Sequence, residues 1–321
     1  MSSQANQPLP EGFKLENYRI LRQLASGGFS FVYLAHDENE TPVAIKEYLP
    51  ATLALRTKDN PAPVVPDENL QAFRYGLKCF FEEGRALATL SHPNVVRVIN
   101  FFRANETVYL VMRYERGRTL QEHIQKKSGA IREEWLCGTF VQLLNGLREV
   151  HSNKLLHLDI KPGNIYVRND GNPVLIDFGA ARQTLAVDGL KLPPMYTPGF
   201  ASPEHHHQRE RLGPWSDIYS IGASMYACLA GAGPPVATQR VEKDKMTSAR
   251  KGWAGKYSVD LLDTIDWCLR PNHMERPQSV FALQKALLGE KEPGFRGEAP
   301  LLDQWKDAIL RKVKRSSTTE P

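Results

Sequence analysis

The stretch His157-Leu158-Asp159-Ile160-Lys161-Pro162-Gly163-Asn164, followed downstream by Asp177-Phe178-Gly179, decides how this sequence is read. A carboxylate with an ammonium two residues on, then a carboxamide, then a second carboxylate, gathers a proton acceptor and separate oxygen ligands for a hard cation. Taken singly, each residue is explained as a loop cap or a turn former. The ordered set is not.

Upstream, residues 24–32 (LASGGFSFV) follow a strand pattern, and backbone amides in such a small-residue turn can cradle phosphate oxygens. Alone, Gly27-Gly28 reads as an ordinary hairpin turn, because glycine takes positive φ at no steric cost. On the next strand, Val43-Ala44-Ile45-Lys46 would place an ammonium under that loop. Here the chain resembles the protein kinase family, whose glycine loop, strand lysine and helix glutamate act together on the phosphates of ATP. The resemblance implies an α+β, two-lobed protein kinase fold, with a small antiparallel β-sheet N-lobe carrying one main helix and a larger, mainly helical C-lobe.

The same resemblance implies roles. Asp159 orients the acceptor hydroxyl and takes its proton, Lys161 offsets charge at the γ-phosphate, and Asn164 and Asp177 hold the metal. Lys46 reaches the α- and β-phosphates and is held by Glu83, in the run 83–93 (EGRALATLSHP); neighbouring Glu82 is the alternative. Leu24, Ala25, Ser26, Gly27, Gly28, Val32 and Ala44 wall the nucleotide site, Met112 closes the adenine pocket, and backbone groups of Arg113 and Glu115 bond the base. Residues 197–204 resemble the end of a kinase activation segment, and Arg276 matches the arginine expected to pair with Glu204. Lys161 together with Thr197 is the Ser/Thr pattern, so the implied activity is transfer of the γ-phosphoryl of ATP to Ser/Thr hydroxyls of proteins. The implied cofactors are ATP and Mg²⁺, with Mn²⁺ as the alternative metal. The Pro-rich insertion over residues 50–69, opened by Lys46-Glu47-Tyr48-Leu49-Pro50, looks like a bacterial, receptor-like subgroup.

Two departures carry expectations. Leu158 stands where many kinases have an arginine that binds an activation-loop phosphate, and between Gly179 and Tyr196 the hydroxyl of Thr184 is the sole Ser/Thr candidate. Activity without loop phosphorylation is therefore expected. Ala25 and Ser30 replace glycines usual in the loop, so nucleotide clamping is expected to be weaker with catalysis retained. Two rival functions stay open: a scaffold that binds ATP without transferring phosphate, and a small-molecule phosphotransferase of similar fold. The intact Lys46, Glu83, Asp159, Asn164 and Asp177 oppose the first, and residues 197–204 oppose the second.

The rest of the chain bounds this reading. At 321 residues, 41% hydrophobic and 24% charged, the composition is that of a globular protein. The net charge of +5 is interleaved instead of striped, which argues against nucleic acid as a partner. Four widely spaced cysteines lack metal-binding spacing and read as reduced, buried thiols. The start has no signal-peptide pattern, and the longest mostly apolar stretch, residues 218–233, is too short and interrupted to span a bilayer. The location expected is cytoplasmic, with the inner face of the membrane as the alternative.

Periodicity predicts strands within 18–35, at 42–48, 95–102 and 108–114, and helices through Phe80, Leu87 and Leu90 and at 135–152, 217–230, 259–269 and 279–288. The domain plan is a flexible leader (1–17), a kinase domain (18–289, N-lobe 18–115, C-lobe 116–289) and a basic amphipathic tail (290–321). In that tail, residues 301–315 place apolar residues on one helical face among basic ones, which reads equally as a membrane-surface contact or as a helix folding back on the domain or a solvated tail. The expected partners are protein substrates, with self-phosphorylation as a further possibility.

Overall fold

The computed structural model describes residues 6–127, 131–178, 197–207 and 209–289. The N-terminal half forms a six-stranded sheet: β1 (Lys14–Leu15), β2 (Tyr18–Ser26), β3 (Ser30–His36), β4 (Pro42–Tyr48), β5 (Val98–Ala104) and β6 (Thr107–Arg113), in the order β1-β2-β3-β4-β6-β5 and antiparallel throughout. Central β4 alternates side chains between two faces. Val32, Lys46 and Leu110 align across one face, while Phe31, Glu47 and Tyr109 align across the other.

Helix α1 (Asp67–Ala88) packs on the Lys46 face, where Tyr48 meets Phe73 and Phe80 and where Gly84 lets the helix approach Leu110 and Phe101. It begins inside the segment expected to be irregular, with Asp67 and Glu68 in its first turn, where carboxylates favour the helix dipole. The strand expected over 95–102 is shifted to Val98–Ala104, and Val95 instead bridges to Leu175. The leader expected to be flexible over 1–17 differs as well. Residues 6–17 pack on the sheet, burying Leu9 and Leu15 in its core with Phe13 packed against it, because these apolar residues in a mainly polar segment find cover there.

A second sheet, β7 (Gly117–Thr119), β8 (Ile165–Arg168) and β9 (Pro173–Leu175), lies against helices α2 (Leu120–Lys127) and α3 (Glu133–Ser152). The remaining described helices are α4 (Pro203–His207), α5 (Pro214–Ala230), α6 (Ala237–Glu242), α7 (Ala249–Gly252), α8 (Val259–Cys268) and α9 (Val280–Leu287). Helix α5 is buried along nearly its whole length, so its apolar run is a core helix, started by Pro214 and stopped by Gly231 at φ 79°. Ser258 and Ser279 cap α8 and α9 through their hydroxyls. No helix among the described residues is long and apolar enough to cross a membrane. Segment 301–315 and Thr184 lie outside the described residues.

Candidate active site

Both lobes contribute. On the sheet, Val32 stands opposite Lys46 and Ala44 opposite Met112, so four of the residues expected at a nucleotide share one face. Leu24, Ala25 and Ser26 end β2, with Ala25 paired to Val32. The turn beyond is closed by the Gly27 N–H donating to the Ser30 carbonyl at 2.9 Å. The positive φ expected of these glycines is absent: neither Gly27 nor Gly28 is left-handed, and a Cβ on either would have room. The fold itself does not require glycine there.

Lys46, nearly buried, pairs with the Asp177 carboxylate and lies over the Phe80 ring at 5.5 Å. Glu83, one turn beyond Phe80 on α1, is 2% exposed. The exposed neighbour Arg85 binds Glu82 instead, which separates the two candidate glutamates: Glu82 faces outward and Glu83 inward. At the end of β6, the Arg113 N–H donates to the Arg97 carbonyl, while the Glu115 carboxylate takes a bidentate bond from Arg168 at 2.6 and 2.9 Å. That pair ties the connection between the lobes to β8.

In the C-lobe the Lys161 ammonium donates to Asp159 Oδ2 at 2.8 Å and to Thr197 Oγ1 at 2.9 Å, and Thr197 Oγ1 lies 3.3 Å from Asp159 Oδ1. The Asn164 amide nitrogen donates to the Asp159 backbone carbonyl at 2.9 Å and to its Oδ2 at 3.0 Å. Asn164 thus presents its amide oxygen as the remaining ligand atom. Burial pushes the Asp159 carboxyl above the usual carboxylate range, and Lys161 opposes that push. An Asn oxygen and an Asp carboxylate, completed by phosphate oxygens, fit Mg²⁺, which is usually held by one or two protein oxygens plus substrate.

The loop over residues 157–164 hangs from α5. Asp217, fully buried, accepts the His157 N–H at 2.9 Å, the Leu158 N–H at 2.7 Å and His151 Nε2 at 2.8 Å. Burial raises its carboxyl, and the bond from His151 followed by the other partners more than offsets this, leaving it below the ordinary value. Leu158 is 2% exposed with φ +57°, and Asp177 has φ +60°, both in the left-handed region that non-glycine residues adopt at a cost. Such strain persists where surrounding bonds fix the backbone, and Asp217 supplies two of them at Leu158 and its neighbour.

Arg276 and Glu204 form the expected pair, bidentate at 2.8 and 3.1 Å, with Ser216 also donating to Glu204 at 2.8 Å. Gly199 at φ +86° brings its backbone so near Pro234 that a Cβ would meet the carbonyl oxygen at 2.6 Å, which fixes the loop carrying Thr197. The positioning roles of Asp217 and His151 went unread in the sequence. An acidic residue opening the apolar run of α5 was the available signal.

Comparison with known proteins agrees with this geometry. The protein kinase domain family matches residues 18–288. Serine/threonine-protein kinase C of Synechocystis sp. is 31% identical over 300 residues, covering 88% of this chain and 52% of the relative. Serine/threonine-protein kinase B of the same organism is 31% identical, covering 68% and 37%. This chain thus spans about half the length of such relatives, or less. The solved apo form of PpkA-294 is 32% identical and superposes with a TM-score of 0.77 over 87% of this chain and 99% of that one. With its family match spanning both lobes, the chain belongs to the protein kinase domain family.

Proposed function

We propose that this protein transfers the γ-phosphoryl group of Mg-ATP to Ser/Thr hydroxyls of protein substrates, from a domain spanning residues 18–289. The observation that carries the proposal is the convergence of Lys161, Thr197 and Asn164 on the Asp159 carboxylate. An acceptor hydroxyl entering beside Thr197 meets a base whose raised pKa favours taking its proton, and Lys161 stands where it can offset charge on the moving phosphoryl group. Asn164 and Asp177 would hold the metal, which supplies charge neutralisation of the triphosphate. With the metal held there, the Asp177 carboxylate would no longer be taken up by Lys46, whose ammonium would then be available to the phosphates. Glu83 then holds Lys46 from α1, Val32 and Ala44 cover the base from one side, and Met112 closes the pocket behind it.

Activity without loop phosphorylation is part of the proposal. Leu158 offers no phosphate-binding group, and its backbone is already held by Asp217, so the loop carrying Asp159 has an anchor that does not depend on a phosphate. Self-phosphorylation, contact of residues 301–315 with a membrane surface, and a cytoplasmic location belong to the same proposal. The test is transfer of labelled γ-phosphate to a generic protein substrate after exhaustive phosphatase treatment, with identification of the labelled amino acid. Label on Ser or Thr supports the reading; loss of transfer after treatment removes the phosphorylation-independence.

A further inference from the structure

The face of β4 away from Lys46 holds a buried charged cluster that none of the roles above uses. Glu47, fully buried, accepts from the Arg56 guanidinium through both oxygens, from the Tyr33 hydroxyl at 2.7 Å and from the Tyr109 hydroxyl at 2.8 Å. Arg56, 2% exposed, also donates to Tyr33 Oη at 2.9 Å and lies 5.7 Å from the Phe31 ring. Burial disfavours the guanidinium charge, and the Glu47 carboxylate restores it, so the arginine is held firmly protonated. Burial followed by the Glu47 charge pushes both tyrosine hydroxyls upward, which keeps them neutral donors. Removing one partner from such a cluster leaves an uncompensated buried charge, so its geometry is tightly specified.

Arg56 belongs to the insertion between β4 and α1, and that insertion touches the glycine turn. The Leu49 N–H donates to the Phe29 carbonyl and the Ala51 N–H to the Gly28 carbonyl, each at 2.9 Å. Further on, Leu55 and Val64 pair with each other and close the insertion into a loop. The leader covers the same loop: Asn6 bonds Ala54 and Arg56, the Gln7 N–H donates to the Arg56 carbonyl while the Gln7 carbonyl accepts from Arg56 Nε, and the Leu9 N–H donates to Tyr33 Oη. The insertion is thus anchored at one end by a buried ion pair and bonded at the other to the tip of the glycine turn.

We propose that this insertion braces the glycine turn, and that Arg56 is the positioning residue of the brace, holding Gly28 and Phe29 where their turn can receive the phosphates of the nucleotide. Pre-organising a loop in its binding conformation lowers the ordering cost of binding. The effect falls on the phosphate end of the ligand alone, since the insertion bonds Gly28 and Phe29 at the glycine turn, whereas adenine would sit between Ala44 and the connection between the lobes. The inference rests on reading this face as a nucleotide site.

The experiment measures the dissociation constants of Mg-ATP and of adenosine, which has no phosphates, for the full chain and for Arg56→Lys and Tyr33→Phe, with thermal unfolding alongside. Arg56→Lys keeps a charge for Glu47 and loses the bidentate fork and the bond to Gln7. The expected result is weaker Mg-ATP binding, about fivefold for Arg56→Lys and about threefold for Tyr33→Phe, with adenosine binding unchanged within about twofold. Should Arg56→Lys fail to fold, Tyr33→Phe, which removes a hydroxyl and changes no charge, decides alone. Parallel losses for the two ligands, or no loss of Mg-ATP binding in a folded variant, overturn the brace. Absence of Mg-ATP binding by the unmodified chain overturns the site reading and the brace with it.

Discussion

Replacing Asp217 with Asn should separate the stability of this protein from its turnover in a defined way. The wild-type carboxylate accepts three bonds, His157 N–H and His151 Nε2 on one oxygen and Leu158 N–H on the other. The carboxamide has a single oxygen, so its best orientation keeps the His157 and His151 side and turns an NH₂ group toward the Leu158 N–H. One charge-assisted bond is lost, two donors face each other without water, and the surviving bonds lose their charge assistance. The cost is about 3 kcal/mol, which for a domain of this size lowers Tm by about 6 °C. Because Leu158 is left-handed and adjoins Asp159, the released backbone relaxes and carries the base with it. A displacement near 1 Å costs on the order of a hundredfold in rate, so kcat should fall tenfold or more, while KM for Mg-ATP, set mainly on the sheet, stays within about twofold. Thermal unfolding and steady-state kinetics on one preparation read both effects. A chain with the lowered Tm and unchanged kcat would refute the coupling of Asp217 to Asp159; an unchanged Tm would refute the energetics.

Other consequences follow from the same geometry. Burial lowers the His205 pKa from 6.5 to about 4, against the opposing charges of Glu204 and Asp217. The folded chain therefore binds fewer protons than the unfolded one between those values. Its contribution is complete above about pH 6.5 and is lost as pH falls toward 4, up to about 3 kcal/mol. Urea unfolding of wild type and His205→Leu across that range should give a shallower decline in the variant, and parallel slopes would contradict it. Gly146 packs α3 against the Asn94 carbonyl, which a Cβ would meet at 2.7 Å. Gly146→Ala should lower stability by about 1–3 kcal/mol despite alanine's helix preference, and a raised Tm would show that the contact yields. Asn164→Ala should raise the Mg²⁺ concentration for half-maximal turnover about tenfold, and chelation should stop turnover of the wild type; an unshifted Mg²⁺ titration would remove Asn164 from the metal site.

Much of the candidate site was legible in the sequence because its demands are local. Asp159, Lys161 and Asn164 lie within one short loop, and the chemistry needs those residue types at that spacing wherever the loop is held. Lys46 could be read because Val43-Ala44-Ile45-Lys46 stands on the strand that follows the glycine turn, where its ammonium would lie under that loop. Asp217 and His151 were harder, since Asp217 acts through backbone amides of another segment and His151 acts only through Asp217, and nothing in their own surroundings names those partners. The cluster of Glu47, Arg56, Tyr33 and Tyr109 was illegible for the same reason, with members on three strands and an insertion that composition marks only as irregular. The leader read as flexible because polarity dominates its sequence; two buried leucines and backbone bonds to the insertion outweigh that average. The left-handed turn expected at Gly27-Gly28 did not form, because strands entering with the bulged β2 register close the turn without it.

The most direct test of the account is transfer of γ-phosphate from Mg-ATP to a protein substrate by the wild type and by Asp159→Asn. The substitution preserves shape and the bond with Asn164's neighbourhood while removing the proton acceptor. The account predicts incorporation by the wild type and a loss of at least about a hundredfold in kcat in the variant, with Mg-ATP binding retained. Equal incorporation by both chains, or binding of Mg-ATP with no incorporation by either, would contradict it.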